Sequence, residues 1–130
     1  MATVLLASTD GELRRLAAAE LARGGHRGLL SSDPLESVLL MSAGGIDAAI
    51  VDMELPEPGG EALVARIRCD ELNGGVPILA VLGIDAAGTA AAQADVRLSR
   101  PLGRTAVTKA VLQLLSRPGG KPRSGPGASR

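Results

Sequence analysis

The sequence predicts an α/β fold, a five-stranded parallel sheet with helices on both faces. Five short apolar runs alternate with stretches of helical periodicity along the chain. The connections are short and each carries a helix, which places successive strands side by side and parallel. At 130 residues the chain is of single-domain length and can bury a real core.

The elements follow in order. TVLLAS (3–8) is a continuous apolar run of strand length. Thr9 and Glu12 then stand three apart, the spacing of a capping box, ahead of the helical pattern ELRRLAAAELAR (12–23), with Leu13, Leu16 and Leu21 on its buried face. Gly24 and Gly25 stop that helix. RGLLSS (27–32) is a weak second strand, and DPLESVLLMSAGG (33–45) a helix with Asp33 as N-cap and Pro34 in the first turn. IDAAIVDM (46–53) is apolar enough to be buried on both faces. GEALVARIRC (60–69) gives a third helix, VPILAVLG (76–83) the most hydrophobic strand, and AAGTAAAQA (86–94) an Ala-rich fourth helix, expected to be the loosest element. DVRLS (95–99) is a short fifth strand and RTAVTKAVLQLLS (104–116) the last helix.

Composition narrows the function. The charges balance at 14 basic and 14 acidic residues, but all the acids and only ten basics lie in residues 1–116. The sequence therefore divides into a domain over 1–116 and a basic tail over 117–130, RPGGKPRSGPGASR, too rich in Pro and Gly to order itself and read as a solubilising end. There is no Phe, Tyr or Trp, so the core is aliphatic and base stacking is unavailable; direct nucleic-acid binding is not expected. A single cysteine, Cys69, precludes an internal disulfide and suits a reducing cytoplasm. No signal segment and no apolar run of about 18 residues is present, so a soluble, cytoplasmic protein is expected. The lone His26 reads as a surface residue beside the glycines.

In IVDMELPEPGG (50–60) the third strand ends on a carboxylate, Asp52, and the chain turns at once. In open parallel sheets ligands bind beyond the carboxyl ends of the strands, near the point where strand order reverses, which makes Asp52 a candidate site. A carboxylate can accept a phosphoryl group if a metal neutralises the incoming charge and a hydroxyl and a fixed cation complete the site.

Asp52 is followed by Pro56 at four residues and Gly60 at eight; VPILAV and an Arg100-Pro101 pair come later. Together with the element order, this pattern resembles the receiver domain of bacterial two-component response regulators over residues 2–116. The resemblance implies a flavodoxin-like doubly wound sheet of strand order 2-1-3-4-5, a phosphoacceptor at Asp52, and a cis Arg100–Pro101 peptide. It also implies Mg2+ where the protein is phosphorylatable, for which the available ligands are Asp52, Glu54 and Asp10.

The same resemblance exposes a degenerate pocket. The family's acidic pair falls on Ser8 and Thr9, with Asp10 next; its hydroxyl residue falls on Leu82, followed by Gly83; its aromatic switch falls on Arg97; its lysine falls on Arg100. Ser8 and Thr9 bring no negative charge to offset the dehydration of magnesium. Asp10 reads more naturally as a helix-start residue, and Leu82 offers no hydrogen bond to a phosphoryl oxygen. Arg100 keeps the cation and adds a fork able to clamp Asp52.

The expected function is thus a receiver-like domain of phosphorelay signal transduction acting by phosphorylation-independent contact, a pseudo-receiver. The alternative is an atypical receiver phosphorylated at Asp52 by a histidine kinase. An enzyme is not expected: Asp52-x-Glu54 lacks the second aspartate of aspartate-nucleophile phosphatases, ASTDGE supplies too few glycines for a dinucleotide, and no phosphate-cradling loop is present. Expected partners are a histidine kinase or other signalling protein, or a second copy. These would meet the face of the fourth helix, fifth strand and last helix, where Arg97, Arg100, Arg104 and Lys109 gather. No membrane contact is expected.

Overall fold

Alternating side-chain direction along the strands divides the core into two halves. The computed structural model describes residues 1–87 and 90–117, which form β1 (Thr3–Ala7), α1 (Gly11–Arg23), β2 (Arg27–Ser31), α2 (Pro34–Ser42), β3 (Ala48–Asp52), α3 (Gly59–Cys69), β4 (Ile78–Leu82), β5 (Val96–Ser99) and α4 (Arg104–Leu115). All neighbouring strands are parallel, in the order β2-β1-β3-β4-β5. Chain order reverses between β1 and β3, so the crevice lies beyond Ala7 and Asp52. The sheet and its strand order are as expected from the sequence.

Successive strand side chains point to opposite faces. Val4, Leu6, Ala48, Ile50, Val96 and Leu98 pack with α1 and α4 through Leu13, Leu21, Val107 and Leu114. Their neighbours Leu5, Ala7, Ala49 and Val51 face α2 and α3, against Leu63, Val64 and Ile67. β3 and β4 are buried throughout, while the edge strand β2 is largely exposed. An aliphatic core of this kind stabilises by roughly 1.5–3 kcal/mol per fully buried Leu, Val or Ile side chain. Leu13 and Leu21 lie on the buried face of α1, with Leu16 half-buried beside them.

Three sequence expectations need adjustment. The N-cap of α1 is Asp10 rather than Thr9: its carboxylate accepts from the Glu12 and Leu13 amides. Aspartate caps as well as threonine does, and starting one residue later leaves Thr9 exposed. His26 is half-buried, and its Nδ1 accepts from the Ala2 amide at 2.9 Å, so it pins the N-terminus against the turn after α1. The Ala-rich stretch 86–94 forms turns, not a helix, in its described residues. Ala91 takes a φ of 57°, is fully buried, and donates its amide to Glu61 Oε2 at 2.7 Å. Alanine favours helix intrinsically, but a short helix is held chiefly by a packed apolar face, and this segment has no side chain large enough to make one. The expected tail lies outside the described residues from 118 onward.

The remaining boundaries agree closely. Asp33 caps α2 with Pro34 in the first turn, and Gly24 and Gly25 follow α1, Gly25 at a φ of 77°. Among the described residues no helix is long and apolar enough to cross a membrane.

Candidate functional site

Asp52, Ser8 and Arg100 meet at the carboxyl end of the sheet because they continue one strand parity. Asp52 follows Ile50 by two residues, Ser8 follows Leu6, and Arg100 follows Leu98, all on the face toward α1 and α4. Leu82 has the opposite parity. Its side chain packs with Ala80 and Ala91, and only its backbone reaches the cluster.

Asp52 is 1% exposed, and both of its carboxylate oxygens are engaged. Oδ1 accepts from the Glu54 amide at 2.9 Å. Oδ2 accepts from the Ser8 hydroxyl at 2.7 Å and from Arg100 Nη2 at 2.9 Å. Ser8 Oγ in turn accepts from the Asp10 amide at 2.9 Å, which ties the start of α1 to the end of β3.

Asp10 has two tasks. Oδ1 caps α1, while Oδ2 accepts from Arg100 Nε at 3.3 Å and Nη2 at 2.9 Å. The Arg100 hydrogen bond holds the Asp10 carboxyl below its ordinary value, against the opposing pull of burial. Arg100 Nη1 reaches Glu54 Oε1 at 3.6 Å and donates to the Leu82 carbonyl at 3.3 Å. The Arg100 amide donates to the same carbonyl at 3.0 Å. Burial works to lower the guanidinium's affinity for its proton, but Asp10 and Asp52 outweigh it and the net shift is upward. Arg100 thus stays a cation, its side chain 11% exposed, facing three carboxylates.

Glycines make room for this arrangement. A Cβ at Gly60 would collide with the Asp52 carbonyl and lie 2.6 Å from the Met53 Cα, so the eight-residue spacing from Asp52 to Gly60 marks a close approach of α3 to the end of β3. A Cβ at Gly83 would strike the Glu54 carboxylate. The Arg100–Pro101 peptide is cis, as the resemblance implied, and Glu57–Pro58 is cis as well.

The sequence-predicted residues therefore separate. Ser8, Asp10, Asp52 and Arg100 are joined directly, with Glu54 at the rim, its side chain 58% exposed. Thr9 is exposed, and no described hydrogen bond joins it to the cluster. Arg97 is exposed on β5 beside Gln113 and Arg117, lining a separate polar cavity of about 400 Å³.

A magnesium ion needs oxygen ligands at about 2.0–2.1 Å in octahedral array. Here the space between the Asp10 and Asp52 oxygens holds a guanidinium nitrogen, and among the described residues no group of three metal-ligating side chains is arranged to hold a metal. As folded, the residues do not fit the ion. No buried side-chain nitrogen or oxygen among the described residues lacks a hydrogen-bond partner, so the cluster is internally complete.

One network was not foreseen. Arg68 Nη1 donates to the Gly74 and Val76 carbonyls at 2.8 and 2.7 Å, Nε to the Gln93 carbonyl at 3.0 Å, and Nη2 to Asp95 Oδ2 at 2.8 Å. Asp95 Oδ2 also accepts the Ile78 amide at 2.8 Å. The staple fixes the approach to β4 and β5, and nothing in the local sequence distinguishes Arg68 from Arg66, which is one helical position pair away.

No protein-family model matches the chain, and no curated protein does. Solved structures do. A provisionally assigned response regulator from Chloroflexus aurantiacus is 22% identical, with 89% of this chain and 98% of that one covered at a TM-score of 0.78. The chemotaxis protein CheY4 of Vibrio cholerae is 19% identical, with 88% and 98% covered at 0.76. A CheY-like receiver domain from Methylobacillus flagellatus is 21% identical over the same shares at 0.74. The chain has the doubly wound five-stranded fold of these structures.

Proposed function

We propose that the chain is a receiver-like domain of two-component signal transduction that works by protein contact rather than by phosphorylation. The observation that carries this reading is the engagement of both Asp52 oxygens by Glu54, Ser8 and Arg100 in a buried, internally satisfied cluster. The fold shared with proteins described as response regulators supports the signalling role. No catalytic role is assigned to any residue.

A nucleophilic carboxylate oxygen must be free to approach a phosphorus atom, and the negative charge gathered there must be met by a cation. Asp52 Oδ2 is already shared between a hydroxyl and a guanidinium, and Oδ1 accepts a backbone amide. Among the described residues the one cation at the cluster, Arg100, is spent on carboxylates of the protein itself. The cluster instead fixes β1, β3 and the segment after β5 in one arrangement, a rigid platform for contact. A histidine kinase, another signalling protein or a second copy would meet it at β5 and α4. Loss of the fourth helix leaves the turns of 90–94 as the third part of that face.

The alternative, phosphorylation at Asp52 by a histidine kinase, is favoured by the placement of Asp52 at the end of β3 with Gly60 packed against it. Intact-protein mass after incubation with acetyl phosphate and magnesium, beside Asp52→Ala, separates the two. No mass gain in the folded wild type is expected; a gain of one phosphoryl group that Asp52→Ala abolishes would establish the alternative.

A further inference from the structure

We propose that the outer face of α2 and α3 is a self-association surface, on which a second copy of this chain packs antiparallel about Ala62. The inference rests on the chemistry of that face and stands apart from the signalling role.

α2 is apolar on nearly every side. Pro34, Ser37 and Met41 are buried, yet Leu35 and Leu39 on the outside are 66% and 63% exposed. Its only charge, Glu36, accepts from the Ser31 hydroxyl at 3.0 Å. A helix apolar all round has the composition of a covered helix, and clustered exposed leucines mark a contact surface. Between α2 and α3 runs an open groove of about 580 Å³, walled by Leu35, Val38, Ala62, Ala65 and Arg66. Both helices enter it at a proline, Pro34 and Pro58.

Charge selects the occupant. Arg66 is the one charged residue lining the groove, and Glu57 stands exposed just before Pro58. Among the described residues no side-chain hydrogen bond or ion pair engages either of them, and Arg66 exerts only a weak attraction on Asp70. The other charges of α3 are engaged: Glu61 accepts the Ala91 amide at 2.7 Å, and Arg68 holds its carbonyls and Asp95. A face with an unpaired carboxylate at one end and an unpaired cation toward the other is complementary to itself when reversed.

Glu57 and Arg66 stand nine residues apart, with Ala62 about midway. A two-fold axis crossing α3 there sets Arg66 of each copy against Glu57 of the other, and Leu35 against Leu39. The exposed methyl groups of Ala62 and Ala65 let the two α3 helices approach closely, and antiparallel packing brings opposite dipole ends together. The patch is smaller than the roughly 20–30 residues a side of a standard interface, so the dimer is weak and concentration-dependent. β5 and α4 stay free for a signalling partner.

Sedimentation velocity of the full chain, from low to high micromolar concentration, reads the equilibrium. The wild-type sedimentation coefficient is expected to rise toward that of a dimer, and Leu39→Glu to remove the rise, because it puts a carboxylate into an apolar contact. Arg66→Glu and Glu57→Arg should each weaken association by about tenfold or more, since like charges then meet at both symmetric contacts. An equimolar mixture of these two variants should associate as wild type does, because opposite charges meet again at both contacts. A monomeric wild type overturns the proposal and leaves the groove to a helix of another protein. A dimer that Leu39→Glu does not weaken overturns it too, and moves association to another face. A mixture no stronger than either variant alone refutes the antiparallel pairing. Circular dichroism melting checks that each variant is folded; if Leu39→Glu is not, the mixture decides.

Discussion

Asp52→Ala tests whether the aspartate is a member of a closed ion-pair cluster or a reactive group held against repulsion. The substitution removes a fully buried carboxylate with three partners: the Glu54 amide at 2.9 Å, the Ser8 hydroxyl at 2.7 Å and Arg100 Nη2 at 2.9 Å. Hydrogen bonds involving a charged group contribute about 1.5–3 kcal/mol each, and breaking one side of a buried ion pair costs roughly 3–5 kcal/mol. Arg100 keeps Asp10 at 2.9 Å and is not left without a counter-charge, so the expected loss is smaller, about 2–4 kcal/mol. With a urea slope of roughly 1.5 kcal/mol per M, a loss of about 3 kcal/mol lowers the unfolding midpoint by about 2 M. Urea unfolding at neutral pH, followed by circular dichroism, reads this directly. A double-mutant cycle with Arg100→Met should give a coupling of about 1–3 kcal/mol between the two residues. The opposite result would sink the reasoning: an Asp52→Ala variant as stable as wild type, or more stable, would mean that carboxylate repulsion governs the cluster and that Arg100 does not compensate it.

Three further outcomes are expected. Arg68→Ala removes the donor to three carbonyls and Asp95 and should cost about 2–4 kcal/mol in the same urea assay, because these are charge-assisted bonds in a part-buried setting; a change within the scatter of surface substitutions would show the staple to be redundant. Gly60→Ala places a methyl against the Asp52 carbonyl and 2.6 Å from the Met53 Cα, backbone atoms that cannot rotate away, so a loss of at least about 1–3 kcal/mol should appear as a lower melting temperature. The Asp10 carboxyl is held below its ordinary 3.8, first by Arg100 and against the pull of burial. A lowered folded-state value means that its contribution is fully present above 3.8 and is lost as pH falls through the lowered value. The stability gap between wild type and Asp10→Asn should therefore be constant at neutral pH and narrow on acidification below that point. A gap independent of acid would show that the charge on Asp10 adds nothing to stability, neither through Arg100 nor through the cap.

The sequence by itself settled the parts of this protein that follow from repetition along the chain. Continuous apolar runs in β3 and β4 could only be buried strands, Asp33-Pro34 and Gly24-Gly25 could only bound helices, and five alternations left a parallel sheet. The Asp52–Pro56–Gly60 spacing was legible as a resemblance to receiver domains, and the structure supplies the reason for its glycine, since a Cβ at Gly60 would meet the Asp52 carbonyl and the Met53 Cα. Tertiary structure decided what depended on neighbours remote in sequence. Intrinsic propensity predicted a helix over 86–94, yet no large side chain was there to pack it, and its described residues form turns anchored by Glu61 instead. Asp10 looked like a local cap and proved also to be a partner of Arg100, ninety residues away. Arg68 was indistinguishable from any surface arginine until the fold brought four acceptors around it. The pairing of Arg100 with Asp52 could be anticipated as chemistry, but its closure could not. Whether a guanidinium reaches both carboxylates at once depends on the register of β1, β3 and β5, and register is fixed by the packing of the whole sheet.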